Sequence, residues 1–203
     1  MIIVDVKQGT PEWHAERVGK PSASCFDKIV TPKGVPSKSA QKYIYQLAGE
    51  RLTGKKEEGY TNSNMERGIQ MESEARSFYE IVNGVEVKEV GFCYPNEDKL
   101  YGCSPDGLVG EDGGLEIKCP LISTHIGYML DNSVLLADYF QQVQGSLLVT
   151  DRKWWDLISY YPGLNPVIIR VNRDVAFINE LKAQLTLFCR DVEAITKKLK
   201  EKQ

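Results

Sequence analysis

The stretch Gly102-Cys-Ser-Pro-Asp-Gly-Leu-Val-Gly-Glu-Asp-Gly-Gly-Leu-Glu-Ile-Lys-Cys-Pro120 constrains this chain more than any other. Within it Leu115, Ile117 and Cys119 alternate with Glu116 and Lys118. A period of two predicts a strand that carries the carboxylate and the ammonium on one face. Gly110 to Gly114 reads as a turn, and Asp106 stands where the preceding strand gives way to it. A hairpin of that length folds Asp106 back beside Glu116. Two adjacent carboxylates repel, and burying them uncompensated is costly, so a shared divalent cation is the natural way to keep both ionised. Hard oxygen ligands favour Mg²⁺, or Mn²⁺, over zinc. Lys118 is then placed to orient a metal-bound water and favour its hydroxide form. As a bare pattern the same residues also suit a surface hairpin with a solvated Glu/Lys face. Two further polar residues on otherwise apolar helices, Glu72 and Gln142, tip the balance toward a site.

The rest of the chain supplies the frame. Thr10-Pro11 is a helix start with proline at the first helical position, and Gly19 closes the segment that carries Trp13, His14 and Arg17. A short helix is expected from Ser22 to Val30. Longer ones are expected over Ser37 to Leu52, stopping at Gly54, and over Asn64 to Val82, where Met65, Ile69, Phe78 and Val82 form the apolar stripe. Val85 to Tyr94, Leu100 to Val109 and Leu115 to Cys119 read as strands of a β-meander. Val134 to Val149 returns to helical spacing. Trp154 to Tyr161 and Val167 to Val171 flank the turn Pro162-Gly163. Asp174 to Lys200 predicts a terminal helix whose acidic start and lysine-rich end suit its dipole. Helices, a central sheet and helices again make an α/β sandwich, read as one domain over 1–203 because 203 residues suit a single core and no linker or repeat interrupts them.

Composition removes several alternatives. No run of about 18 uncharged apolar residues spans a membrane, and the start Met-Ile-Ile-Val-Asp lacks the basic region of a signal peptide, so a cytoplasmic protein is expected. Cysteines at 25, 93, 103, 119 and 189 form no CxxC pair, which argues against a disulfide framework, a zinc site or an iron–sulfur cluster. A net charge of −3 excludes a strongly basic nucleic-acid binder, but the deficit is local. Residues 1–60 hold 10 basic and 7 acidic side chains (+3), 61–120 hold 5 and 12 (−7), and 121–203 hold 10 and 9 (+1). The acidic block contains Glu72, Asp106 and Glu116, whose charges bound cations would offset.

Four ordered motifs carry a resemblance over nearly the whole chain. They are Gln8-Gly9 with Trp13-His14, Arg17-Val18-Gly19 and Ser22-Ala23-Ser24; Gly68-Ile-Gln-Met-Glu72-Ser-Glu-Ala-Arg76; Ser104-Pro-Asp-Gly-Leu with Gly114-Leu-Glu-Ile-Lys-Cys-Pro120; and Gln142-Val-Gln144 with Val149-Thr150. Together they resemble the lambda-exonuclease, or viral recombinase exonuclease, branch of the PD-(D/E)xK nuclease superfamily. That resemblance implies a restriction-endonuclease-like core, a central mixed β-sheet flanked by helices. It implies that Asp106, Glu116 and the backbone carbonyl of Ile117 hold metal, that Glu72 binds or positions a second ion, and that Lys118 serves the nucleophilic water. The family's pocket for a 5′-terminal phosphate maps onto Arg17, Ser24 and Ser104, with Gln142 at its boundary with the metals. Arg17 offers a planar fork suited to phosphate, and Ser24 lies near the start of a short helix. Met65 falls where the family places an apolar wedge at the duplex end, although a helical methionine also suits a core. His14 beside Trp13 reads as packing. The loop Lys33-Gly-Val-Pro-Ser-Lys38 is shorter than the family's, so a DNA-backbone role there belongs loosely to Lys33 or Lys38.

The implied activity is a Mg²⁺-dependent 5′→3′ exonuclease with two ions per site. It would act on linear duplex DNA ends, prefer 5′-phosphate, and release mononucleotides. The 3′ overhangs left behind would serve strand-annealing recombination of the phage or prophage kind in a bacterial host. A homotrimeric ring and a single-strand annealing recombinase as partner come with the resemblance. A globule of this length has a radius of gyration of about 17 Å, too small to encircle a duplex alone. The rivals are an endonuclease or resolvase of the same superfamily and a non-catalytic DNA-end-binding module.

Overall fold

The computed structural model describes residues 1–56 and 63–202, and the side chains of all of these except 63–66 and 69. Thr10 caps the first helix, α1 (Pro11–Arg17), its side chain accepting the Trp13 N–H at 3.4 Å, with Pro11 at the start. The short helix that follows is a 3-10 helix, Ala23–Lys28. Two long helices come next, α2 (Ala40–Thr53) and α3 (Ser63–Asn83). Gly54 ends α2 in the left-handed conformation at φ 68°, where a side chain would be strained. α2 begins three residues later than its spacing suggested, the chain from Thr31 to Ser39 being irregular.

The sheet is more divided than a meander. β1 (Ile2–Val4) pairs antiparallel with β3 (Phe92–Tyr94) as a separate two-stranded sheet. The main sheet has the order β2-β4-β5-β6-β7, formed by Val87–Lys88, Gly107–Val109, Gly113–Lys118, Trp154–Ser159 and Val167–Asn172. The single strand expected over Val85 to Tyr94 is therefore two strands in two sheets. Between them Gly91 lies so close to the Val4 and Val6 carbonyls that a Cβ would strike both. The strand expected over Leu100 to Val109 is regular only from Gly107, because Pro105 has no N–H to give a ladder. Upstream of it Cys103 and Gly102 form isolated bridges to Cys93 and Ser22.

β5 is the central strand, antiparallel to β4 and parallel to β6. The parallel pair needs a crossover, supplied by α4 (Ile122–Leu130) and α5 (Asn132–Thr150). α4 has no counterpart in the expectations above. α6 (Val175–Lys200) starts with the Asp174 side chain accepting the Phe177 N–H at 2.9 Å and ends on Lys197, Lys198 and Lys200. One face of the sheet packs Leu115, Ile117 and Ile158 against Ala75 and Tyr79 of α3. The other packs Trp155 and Leu157 with Val143 and Leu147 of α5, Leu181 and Leu185 of α6, and Leu47 of α2. A mixed five-stranded sheet flanked by helices is thus the architecture. The five cysteines are free thiols, and no described helix is long and apolar enough to cross a membrane.

Candidate active site

Register places the acidic pair. Gly107 pairs with Leu115, so Asp106 stands one step beyond it, opposite Glu116. Alternation along β5 sends Leu115 and Ile117 toward α3 and leaves Glu116 and Lys118 on the α5 side. There the Glu116 Oε1 accepts Lys118 Nζ at 2.7 Å and also the Gln142 amide, while Lys118 Nζ donates to Gln142 Oε1 at 3.3 Å. Lys118 further lies over the Tyr139 ring, 4.5 Å from its centroid. Gln142 and Tyr139 are three residues apart on α5, so both come from one helix face.

Asp106 Oδ2 accepts the Ile117 N–H at 2.6 Å. Burial, then repulsion from Glu116 and Glu72, pushes the Asp106 carboxyl well above the ordinary aspartate range, against the pull of Lys118 and that N–H. Burial likewise raises Glu72; Arg76 opposes this and Glu116 adds to it. Burial alone would depress Lys118, yet Glu116 and Asp106 overcome it and hold the ammonium above its ordinary value. Three carboxylates thus share one ammonium and the Arg76 guanidinium, an excess of negative charge that suits a hard cation. Among the described residues no three His, Cys, Asp or Glu side chains close a metal cage by themselves. Mg²⁺ does not need one, since it is held by one or two carboxylates, waters and substrate phosphate. Asp106, Glu116 and the Ile117 carbonyl are the donors that fit.

A second cluster adjoins the first. Arg17 donates to Ser104 Oγ at 3.0 Å through Nη1 and to Ser22 Oγ at 3.3 Å through Nη2. Its guanidinium lies 4.2 Å from the centroid of the Trp13 ring, and Trp13 Nε1 donates to Ser104 Oγ at 2.9 Å. Burial lowers the Arg17 pKa. Ser24 joins through Ser22, the two hydroxyls being 3.3 Å apart. Ser104 and Asp106 are two residues apart, so their Cα atoms are within about 8 Å. Gln8 holds the intervening Pro105 carbonyl at 2.8 Å and the Val90 carbonyl at 2.9 Å.

The structure therefore brings Asp106, Glu116, Lys118, Gln142 and Glu72 to one place and Arg17, Ser24 and Ser104 to the next. Gln142 bonds to Glu116 and Lys118, not to the arginine cluster. The sequence alone does not assign Ser22, Trp13 or Arg76 to the site. Trp13, four residues before Arg17 on α1, carried a readable signal, since that spacing puts a ring under a guanidinium. Arg76 stands four residues after Glu72 and pairs with it at 2.9 Å. His14 packs edge-on to Trp13 but is exposed. Lys33 and Lys38 are exposed and make no hydrogen bond or ion pair among the described residues. Met65 belongs to α3, and its side chain, like that of Ile69, lies outside the described residues.

Known proteins resemble both the sequence and the fold. A family model for the YqaJ-like viral recombinase domain matches residues 12–153. The crystal structure of an alkaline exonuclease, LHK-Exo from Laribacter hongkongensis, superposes with a TM-score of 0.86 at 36% identity, covering 95% of this chain and 97% of that one. Its complex with dAMP matches to the same degree. A phage related exonuclease from Haemophilus somnus 129PT superposes at TM-score 0.70 and 15% identity over 89% of this chain and 96% of that one, a likeness of fold. No curated protein matches the sequence.

Proposed function

Because the chain belongs to the YqaJ-like viral recombinase domain family, we propose that it is a Mg²⁺-dependent DNA exonuclease that degrades the 5′-phosphorylated strand of a duplex end in the 5′→3′ direction. The observation that carries this reading is the placement of an arginine–serine cradle directly beside a half-buried Asp/Glu/Lys cluster, joined by Ser104-Pro105-Asp106. Bound at Asp106, Glu116 and the Ile117 carbonyl, with a second ion near Glu72, Mg²⁺ would lower the pKa of a bound water and offset charge on the scissile phosphate.

The protein's own residues do the rest. Lys118, held between Glu116 and Gln142, presents an ammonium to the attacking water and orients its oxygen. Gln142 fixes that orientation from α5. Arg17, backed by Trp13 and flanked by Ser22, Ser24 and Ser104, binds a terminal phosphate through a planar fork. The water oxygen bonds to phosphorus as the 3′ oxygen of the terminal nucleotide leaves. Each cut therefore frees one 5′-mononucleotide and creates a new 5′-phosphate for the Arg17 cradle. LHK-Exo bound to dAMP, a mononucleotide, supports a product of this kind. A homotrimeric ring around the duplex and a single-strand annealing protein loading on the exposed 3′ strand complete the reading.

The test is digestion with Mg²⁺ of linear duplex carrying 5′-phosphate, linear duplex carrying 5′-hydroxyl, and covalently closed circles. Mononucleotides from the phosphorylated ends first, and intact circles, are expected. Cutting of closed circles would reverse the assignment in favour of an endonuclease. Light scattering of the free protein checks the trimer.

A further inference from the structure

We propose that Arg76 is a positioning residue that sets the metal-binding carboxylates relative to one another, an inference that rests on reading Asp106, Glu116 and Glu72 as cation ligands. Each of its three guanidinium nitrogens reaches a different segment. Nη2 pairs with Glu72 Oε1 at 2.9 Å on its own helix α3. Nε donates to the Asp106 backbone carbonyl at 3.3 Å, at the entrance to β4. Nη1 pairs with Glu89 Oε1 at 2.9 Å, in the connection between β2 and β3.

An exposed pair at i,i+4 on a helix contributes only a few tenths of a kcal/mol and fixes little. Here the Arg76 side chain is 13% exposed, and the same rigid planar group bonds the side chain of one proposed ligand and the main chain of another. The distance between α3 and the Asp106 turn is thereby tied to the fork geometry. Glu89, 71% exposed, anchors the outer edge of the guanidinium from a third direction.

Charge and position make opposite forecasts, which is what renders the role testable. By charge alone a guanidinium beside a cation site repels the cation, so its removal would tighten binding. By position its removal lets Glu72 and the Asp106 turn drift and weakens binding. Partners that orient metal ligands in this way are worth about 10- to 100-fold in metal affinity.

The experiment is Mn²⁺ binding to the full-length protein by calorimetry, without DNA, for wild type, Arg76→Ala, Arg76→Lys and Glu89→Gln, each checked by thermal unfolding. Position predicts about 10- to 100-fold weaker Mn²⁺ binding for Arg76→Ala. Arg76→Lys should fall between it and wild type, because an ammonium keeps the Glu72 pair but not the fork. Glu89→Gln keeps an oxygen for Nη1 and should stay near wild type. Equal or tighter binding by Arg76→Ala overturns the proposal. If that variant fails to fold, wild-type affinity in Arg76→Lys overturns it instead. A wild type that binds Mn²⁺ but leaves DNA ends intact removes the exonuclease reading and leaves the Arg76 comparison standing. A wild type that binds no Mn²⁺ removes both.

Discussion

Asp106 Oδ2 accepts the Ile117 N–H at 2.6 Å, a bond that crosses eleven residues and joins the turn before the hairpin to the strand after it. One carboxylate oxygen is thereby fixed to the backbone beside Glu116, and the other has no hydrogen-bond donor among the described residues. Held this way, half-buried and facing Glu116 and Glu72, the group resists ionisation until something positive arrives.

That resistance sets a pH dependence. Asp106 titrates higher folded than unfolded, so the folded state binds its proton more tightly. Its own contribution to stability without metal is fully present below the unfolded pKa and is lost as pH rises through the folded one. Asp106→Asn, which keeps an oxygen for the Ile117 N–H, should raise the unfolding temperature in chelator at about pH 8 and change it little at about pH 4. Because the ligand must lose its proton, wild-type Mn²⁺ affinity should rise with pH by up to a factor of about ten per unit, and the variant should lose metal binding. Thermal unfolding and calorimetry at both pH values check this, and an asparagine variant no more stable than wild type at the higher pH would refute the repulsion.

Removing the ammonium separates chemistry from binding. Lys118→Ala should lower kcat by about 10²- to 10⁴-fold, the usual worth of a group that serves the attacking water. Binding to 5′-phosphorylated ends should persist, because the Arg17 cradle is built from other residues. Single-turnover digestion and end-binding titrations on the same duplex make the comparison. Unchanged turnover rejects the role given to Lys118 and favours a non-catalytic end binder.

The cradle predicts end selectivity. Hydrogen bonds to charged groups contribute roughly 1.5–3 kcal/mol, so Arg17→Ala should lower kcat/KM on 5′-phosphate ends by about 10- to 100-fold. Ends carrying 5′-hydroxyl should change little, and the preference should collapse. Ser22→Ala should move it the same way but less, since its hydroxyl only supports one Arg17 nitrogen at 3.3 Å. A preference that survives Arg17→Ala places the terminal phosphate elsewhere.

Much of this site was legible because its signals are local. The alternation of Leu115, Glu116, Ile117 and Lys118 depends on the pleat alone, and a turn of known length was enough to bring Asp106 back to Glu116. Helices α2, α3, α5 and α6 showed their periods. What escaped was set by partners far along the chain. Ile2–Val4 is a strand only because Phe92–Tyr94 lies beside it, and that same pairing splits the run from Val85 to Tyr94 between two sheets. α4 leaves Ile122, Ile126, Met129 and Leu130 exposed while His125 and Tyr128 are buried, so no clean apolar stripe announces it. Ser22 meets Arg17 because Gly102 bridges to it, and Arg76 meets Asp106 across thirty residues; spacing along the sequence encodes neither.

The join between the two clusters can be tested from the core. Gly145 of α5 faces the 3-10 helix, where a Cβ would overlap the Phe26 ring and crowd Ala23 at 3.3 Å. In a free helix Gly→Ala stabilises by roughly 0.5–1 kcal/mol. Here the ring is fully buried and has nowhere to go, so overpacking at about 1–3 kcal/mol wins and Gly145→Ala should lower the unfolding temperature. The strain falls between the helix that carries Gln142 and the turn that carries Ser22 and Ser24. Selectivity for 5′-phosphate should therefore weaken along with stability, while Mn²⁺ affinity falls less, because α5 touches only Glu116, through Gln142, and Asp106 and Glu72 are held from outside α5. Unfolding midpoints, end selectivity and calorimetry on this one variant measure all three. Stabilisation by the added methyl group would show that the α5 packing yields, and would remove α5 as the spacer between cradle and metal site.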